Sequence, residues 1–316
     1  MTLILAIATP AYVLQVGDRL TTREYQYPSG ARVVRPHDAA ANKTIIYGTN
    51  DALVTVGYSG AAYVQGLATD NWLTQVLDAK ARQINGFGAF RAGARANVLD
   101  IGQSIQAIVA AIQRDFMSMP AMKRAPGLVL QVVGWQWKLD DRHFEMPIAY
   151  RISNPGVDSA STSVARSERY WGWERNGWAI QVIGDTRFGA DKRLAERLRA
   201  RTDLLADTVE TMMVGIIREE VGRANSTVGP HCMSVLLQLT EPHVRLRFLA
   251  GPKHSDVYGF SPWVLMPAGA SAPSVITGGE PSLHFGSLEI VLDRIPPLQT
   301  DGILTLGSQP RRPEPP

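Results

Sequence analysis

The order in which strand-like and helix-like segments follow each other limits the folds open to this chain of 316 residues. Thr2–Ala8 and Tyr12–Val16 are largely apolar and flank Thr9-Pro10-Ala11, a pattern that predicts a hairpin of two strands. Further strands are predicted over the rest of the first sixty residues. Apolar residues then recur at helical spacing from about Ala61 to Arg82, and again up to Pro120, which predicts two consecutive helices.

The second half of the chain repeats this succession. Strands are predicted at 127–137, 146–153, 161–170 and 178–184, helices at 191–199 and 203–224, and strands again at 233–239 and 244–249. Runs of strands that alternate with pairs of helices favour antiparallel sheets covered by helices over βαβ units. The sequence therefore predicts an α+β fold with a pair of antiparallel sheets flanked by helix pairs.

Composition limits the classes of protein to which the chain can belong. No stretch of eighteen apolar residues occurs, so no membrane span is predicted. The single Cys232 excludes an internal disulfide and fits a reducing compartment, so we expect a cytoplasmic protein. The net charge of +3 is small and its basic residues are scattered, which does not favour nucleic-acid binding. The sequence lacks HExxH and CxxC motifs, and no metal or cofactor is expected.

The domain organisation predicted from composition is a domain over residues 2–250 followed by an extension over 251–316. The extension is rich in Pro, Gly and Ser and contains weaker strand patterns, such as Leu288–Leu292. It ends in Gln309-Pro-Arg-Arg-Pro-Glu-Pro-Pro316, and disorder is predicted from about residue 305.

Thr2 carries the strongest functional signal. Removal of Met1 would leave a threonine whose hydroxyl is a nucleophile and whose free α-amine is the base that accepts its proton. An α-amine titrates at about 7.7–8.0, so a neutral fraction exists at cellular pH. Two other interpretations remain open, namely a secretory signal, although no Lys or Arg precedes Arg19, and a buried hairpin without chemistry.

Four short motifs resemble those of one enzyme family. They are Thr2, then Gly17-Asp18-Arg19, then Asn42-Lys43-Thr-Ile-Ile46, and the turn Gly57-Tyr-Ser-Gly60. Together they resemble the proteasome β-subunit and its simpler bacterial relatives among the N-terminal nucleophile hydrolases, over about Thr2–Gly251. The resemblance implies a four-layer α/β/β/α sandwich, hydrolysis of a peptide or amide, and a homo-oligomer, possibly a ring. An unfoldase partner is not specified.

The resemblance also implies a role for each matched residue. Lys43 would stabilise the developing alkoxide of Thr2 and keep the α-amine neutral by like-charge repulsion, while Asp18 would hold Lys43 in place. Backbone N–H groups of Ser59 and Gly60, expected at the start of the first helix, would receive the oxyanion of a tetrahedral intermediate.

Three positions around the terminal amine depart from the family pattern. Asp185 is predicted to stand where the family has a first serine, Asn225 where it has an aspartate, and Val228 where it has a second serine. Asn225 offers no negative charge and Val228 offers no polar group. A non-catalytic scaffold subunit is therefore an alternative function.

A third hypothesis is a serine hydrolase. Gly57-Tyr-Ser59-Gly-Ala61 nearly matches the G-x-S-x-G elbow, and the sequence predicts it between a strand and a helix. The upstream oxyanion loop of that fold is missing, and the histidines carry no signature of a triad.

Overall fold

The computed structural model describes most of the chain. The residues it describes are 2–26, 32–38, 41–79, 90–92, 98–124, 127–137, 144–154, 166–169, 177–187, 189–221, 223, 226–238, 244–249, 251, 259–260, 262–267, 269–271, 273, 275–276 and 287–292. Asn225 and most of the residues beyond 276 lie outside this set.

Within the described residues the chain forms twenty strands and five α-helices. The strands are β1 (Leu3–Ala8), β2 (Tyr12–Asp18), β3 (Thr21–Gln26), β4 (Arg32–Asp38), β5 (Thr44–Gly48), β6 (Ala52–Gly60), β7 (Tyr63–Val64), β8 (Leu67–Ala68), β9 (Phe90–Ala92), β10 (Leu128–Trp137), β11 (Phe144–Asn154), β12 (Arg166–Arg169), β13 (Ala179–Gly184), β14 (Cys232–Gln238), β15 (Val244–Leu249), β16 (Gly259–Phe260), β17 (Trp263–Met266), β18 (Gly269–Ser271), β19 (Val275–Ile276) and β20 (Ser287–Leu292). The helices are α1 (Thr69–Leu77), α2 (Ile101–Ala111), continued by a π-helical turn at Ile112–Phe116, α3 (Ala121–Arg124), α4 (Ala190–Arg199) and α5 (Ala206–Val221).

Two large sheets contain most of the strands. The first has six antiparallel strands in the order β13-β1-β2-β14-β15-β20. The second has eight strands in the order β12-β11-β10-β6-β5-β17-β18-β9, and its pair β5–β17 is parallel. The α+β class predicted from the segment order is confirmed, and antiparallel pairing dominates both sheets.

Apolar residues form three buried clusters that join these elements. One packs α4 and α5 against β1, β2 and β14, and another packs α1 and α2 against β5, β6 and β10. The third joins residues of both sheets, including Val13 and Val235 from the first and Leu53 and Trp135 from the second. Each large sheet thus buries one face against helices and shares a cluster with the other sheet.

The predicted helix from Ala61 to Arg82 is wrong over its first turns. Residues 63–68 form the hairpin β7–β8, and α1 begins only at Thr69. Gln65 and Gly66 both have positive φ, 50° and 81°, as a two-residue turn of type I′ requires. Thr69 Oγ1 donates to the Ala61 carbonyl at 2.7 Å and closes the loop at the helix start. Residues 80–82 lie outside the described set.

Residues beyond Gly251 add strands to both sheets. β17 pairs with β5, β18 pairs with β9, and β20 pairs with β15. Trp263 in β17 is buried with the residues of α1, and its Nε1 donates to Asn71 Oδ1 at 2.8 Å. A domain boundary near residue 250 stays a prediction, and the predicted disordered tail lies outside the described residues.

Candidate functional site

Thr2 lies at the entrance to β1 and is buried. Its carbonyl accepts a hydrogen bond from the backbone N–H of Asp185 at 2.6 Å, just after the end of β13. The next residue, Leu3, donates its N–H to Asp18 Oδ1 at 2.8 Å. The start of the chain is therefore fixed on both sides, by the strand pair β1–β13 and by a side chain from β2.

Gly184 allows this close approach. Its φ of +99° lies in the region that favours glycine, and an added Cβ would stand 1.7 Å from the Thr2 carbonyl oxygen. The same Cβ would stand 3.0 Å from Ser59 Oγ at the end of β6. The backbone of Gly184 thus fills the space between Thr2 and β6, and no larger residue fits there.

Asp18 is buried at the end of β2 and accepts four hydrogen bonds. Besides Leu3, its donors are the backbone N–H groups of Leu20 at 3.0 Å and Gly229 at 3.1 Å, and Lys43 Nζ at 3.1 Å. Three backbone donors and one ammonium group fix this carboxylate in a single orientation. Asp18 therefore connects the backbone beside Thr2 directly to Lys43.

Lys43 immediately precedes β5 and is buried. Its ammonium group donates to Asp18 Oδ2 and to the carbonyl of Leu20. Burial lowers the pKa of this ammonium because the charged form loses solvation, and the Asp18 charge and hydrogen bond act in the opposite direction. The Lys43 carbonyl also accepts from the N–H of Tyr58 at 3.0 Å, which ties the lysine to β6.

Ser59 and Gly60 end β6, so the expectation that they stand at the start of the first helix is wrong. Tyr58 N–H bonds on the β5 side of the strand, whereas Ala61 N–H donates to the Gly127 carbonyl at 2.9 Å on the β10 side. Hydrogen-bonding directions alternate along a strand. Ser59 N–H accordingly lies on the β10 side. Gly60 N–H lies on the β5 side, at a position past the first residue of β5.

The three residues that depart from the pattern of the resembled family lie in different surroundings or outside the described residues. The buried Asp185 carboxylate pairs with Arg187 through two hydrogen bonds, 2.8 Å from Nε to Oδ1 and 2.6 Å from Nη2 to Oδ2. These hydrogen bonds are the largest cause of the lowered pKa of Asp185. Val228 is buried in the apolar cluster of α4 and α5, and Asn225 lies outside the described residues.

Sequence reasoning missed Gly184 and Arg187. Gly184 is the last residue of β13, and a glycine within a strand can mark the close approach of another backbone, although it does not indicate which segment approaches. An Arg two residues after an Asp carries no comparable signal.

The serine-hydrolase hypothesis loses its structural basis. Its nucleophile elbow requires a sharp turn from a strand into a helix. Ser59 instead lies within β6, and the hairpin β7–β8 separates it from α1. Of the histidines in the described residues, His231 accepts from Gly251 N–H through Nδ1 at 3.1 Å, and His37 lies 3.5 Å from the Tyr63 hydroxyl.

Among the described residues, no group of three or more His, Cys, Asp or Glu side chains is placed to hold a metal ion. Within the same residues, no helix has the length and apolar content needed to cross a membrane.

Comparisons with solved structures give distant likenesses, which include the following two. An Anbu (Gly-1) mutant from Hyphomicrobium sp. strain MC1 aligns over 75% of this chain and 82% of its own, with 12% identity and a TM-score of 0.46. Eukaryotic HslV from Trypanosoma brucei aligns over 75% of this chain and 99% of its own, with 16% identity and a TM-score of 0.38. No family model and no curated protein matches the chain. These values do not establish a family.

Proposed function

We propose that this chain is a threonine-type N-terminal nucleophile hydrolase that cleaves amide or peptide bonds with Thr2, after removal of Met1. The observation that carries the proposal is the buried Asp18–Lys43 ion pair, whose carboxylate also holds the backbone of Leu3. Taking both charges out of water costs free energy, and a protein in which hydrophobic residues of similar size replace such a pair is often no less stable. A functional role beside Thr2 accounts for keeping such a pair.

The proposed reaction begins with proton transfer from the Thr2 hydroxyl to the α-amine of the same residue. The oxygen attacks the substrate carbonyl, and the resulting oxyanion is stabilised by the Gly60 N–H. Collapse of the intermediate leaves an acyl ester on Thr2 and transfers the proton to the leaving amine. Water, activated by the same α-amine, then cleaves the ester and restores the threonine. Lys43 stabilises negative charge on the threonine oxygen, and Asp18 keeps Lys43 in position.

Several finer features of the proposal follow from the resemblance to the proteasome β-subunit. They are the four-layer α/β/β/α arrangement and assembly into a homo-oligomer or ring. The cytoplasmic location is proposed instead from the single Cys232. The apolar cluster shared by the two sheets and the helices packed on their other faces support the layered arrangement. Asp185 would support the site through the hydrogen bond from its N–H to Thr2.

A non-catalytic scaffold subunit is the second candidate, and Val228 favours it. This residue stands where the family has a serine near the terminal amine, and here it is buried among apolar side chains. A site without that hydroxyl has one polar group fewer to hold the amine.

Two substitutions at one position distinguish these functions. We expect wild-type protein to hydrolyse a mixture of fluorogenic peptide amides, Thr2→Ala to abolish hydrolysis, and Thr2→Ser to retain part of it because the hydroxyl and amine remain. Hydrolysis that persists in Thr2→Ala would exclude Thr2 as the nucleophile. An inactive wild type that keeps Met1 would favour the scaffold.

A further inference from the structure

A row of three paired residues crosses the second sheet close to Lys43. Thr44 on β5 pairs with Gly57 on β6, and Gly57 pairs with Gln131 on β10. Gly57 has no side chain, and the amide of Gln15 from the first sheet fills the space over it, with Nε2 only 2.7 Å from where a Cβ on Gly57 would stand. A side chain of the first sheet thus enters a gap in the second.

The buried amide of Gln15 is hydrogen-bonded to both neighbours of Gly57 in this row. Thr44 Oγ1 donates to Gln15 Oε1 at 3.2 Å, and Gln15 Nε2 donates to Gln131 Oε1 at 3.1 Å. Gln131 Nε2 then donates at 2.9 Å to the backbone carbonyl of Gln181 on β13. Each of these three hydrogen bonds joins one large sheet to the other, and all the residues involved are buried.

This chain of hydrogen bonds lies close to the candidate site along several strands. Asp18 follows Gln15 on β2 by three residues, about 10 Å at the usual rise along a strand. Gly60 follows Gly57 on β6 by the same number of residues. Lys43 directly precedes the threonine that donates the first hydrogen bond. A displacement of one sheet along the other at this level would therefore be felt at the site.

The candidate site is divided between the two sheets. Thr2 and Asp18 are held by the first sheet, whereas Lys43 and the Gly60 N–H belong to the second. Apolar residues form the cluster that the sheets share, and apolar packing has no preferred direction. Buried hydrogen bonds are directional, and a network whose members all have partners specifies a single arrangement. The chain of hydrogen bonds can therefore fix an alignment that the apolar cluster leaves open.

We propose that Gln15 and Gln131 are positioning residues that fix the first sheet against the second, so that Thr2 faces Lys43 and the oxyanion donor. This inference rests on the proposed function, because the alignment serves the chemistry of Thr2. Both glutamines act through the strands that carry the site, without contact with the substrate.

The test separates activity from stability. In the triple variant Gln15→Met/Gln131→Met/Thr44→Val, apolar groups of similar size replace the three side chains together, so that none of them is left buried without its partner. The midpoint of urea unfolding should stay at or above that of the wild type. We expect kcat for a fluorogenic peptide amide to fall by about 10–100-fold, because a misplacement of about 1 Å can cost about 100-fold. Both kcat and kcat/KM should fall equally, because the lost interactions belong to the transition state.

Gln181 offers a matched control. It is a buried glutamine of the same chain of hydrogen bonds, but it takes part only through its backbone carbonyl. Its side-chain Oε1 and Nε2 are buried and have no hydrogen-bond partner among the described residues. Gln181→Met keeps the carbonyl and removes an amide that is costly to bury, so kcat should stay at the wild-type value and stability should not fall.

The outcomes separate the inference from the proposed function. If the wild type hydrolyses its substrate through Thr2 but the folded triple variant keeps the wild-type kcat, the inference is overturned and the proposed function stands. The same holds if Gln181→Met loses as much kcat as the triple variant, because the hydrogen bonds are then not the cause. A triple variant that does not fold also overturns the inference, since the hydrogen bonds then maintain the fold itself. A chain that keeps Met1, or activity that survives Thr2→Ala, overturns the proposed function and the inference together.

Discussion

Gly184 and Thr2 approach each other so closely that a Cβ on Gly184 would lie 1.7 Å from the Thr2 carbonyl oxygen. This contact holds the end of β13 against the start of β1 and brings Asp185 N–H to within 2.6 Å of the same oxygen. The geometry of the candidate site thus depends on a residue that has no side chain.

Substitution of Gly184 should therefore damage both stability and activity. Gly184→Ala places a methyl group in occupied space and forces an L-residue to a φ of +99°. We expect the free energy of unfolding in urea to fall by at least about 1–3 kcal/mol, the usual cost of such backbone strain, and hydrolysis to be lost.

Gly177→Ala is the matched control for this substitution. Gly177 also has a positive φ, 70°, but nothing lies within 4 Å of its added Cβ. It should lose only the stability that the strained φ costs, and keep its activity. Equal losses in the two variants would contradict a special contact between Gly184 and Thr2.

The buried Asp18–Lys43 pair should show strong energetic coupling. Asp18→Asn leaves the Lys43 ammonium buried without its carboxylate, so we expect the free energy of unfolding to fall by about 3–5 kcal/mol. The double variant Asp18→Asn/Lys43→Met removes both charges and should be less destabilised than the sum of the single variants. Additive losses in urea denaturation would show that the two side chains do not depend on each other.

Asp70 should make the stability of the protein depend on pH. Burial in the first turn of α1 raises the pKa of this carboxyl to about 6, above its value in the unfolded chain. Ionisation therefore destabilises the folded state as the pH rises from about 4 to 6, whereas the protonated group has no such effect. Relative to wild type, Asp70→Asn should gain about 3 kcal/mol of unfolding free energy between pH 3.5 and 7. A constant difference across this range would contradict the shift.

Cys232 should be inert in the folded protein. Its side chain is buried in β14, and burial raises the pKa of the thiol to about 12. We expect no reaction with an aromatic disulfide reagent at pH 8 in buffer, and one equivalent of thiol per chain in guanidinium. Rapid reaction under native conditions would show that this strand opens.

The sequence predicted the parts of the fold that depend on local patterns. The N-terminal hairpin is marked by apolar strands around Thr9-Pro10-Ala11, and its register brings Asp18 next to Leu3. The sequence predicts too early a start for the first helix, because the Ala-rich residues from Ala61 onwards do not exclude a helix. In addition, Gln65-Gly66 does not break the helical spacing of the apolar residues. Tertiary contacts, such as Thr69 to Ala61, determine where α1 begins.

The contact between Asp18 and Lys43 was expected only from the family resemblance, and the rest of the site carries no local signal, because both depend on pairing between distant segments. Asp18 ends β2 in the first sheet, and Lys43 immediately precedes β5 in the second sheet. The two residues therefore meet only when the two sheets pack together. The parallel pair β5–β17 joins residues more than two hundred positions apart. No local pattern indicates that Arg187 bonds to Asp185 or that Gly184 contacts Thr2.

Mass spectrometry of the protein after treatment with a threonine-directed electrophile, such as a β-lactone, shows whether Thr2 is the nucleophile. We expect a chain that begins at Thr2 and gains one adduct, which peptide fragmentation assigns to Thr2 and which Thr2→Ala prevents. A chain that retains Met1, or an adduct on any other residue, would contradict it.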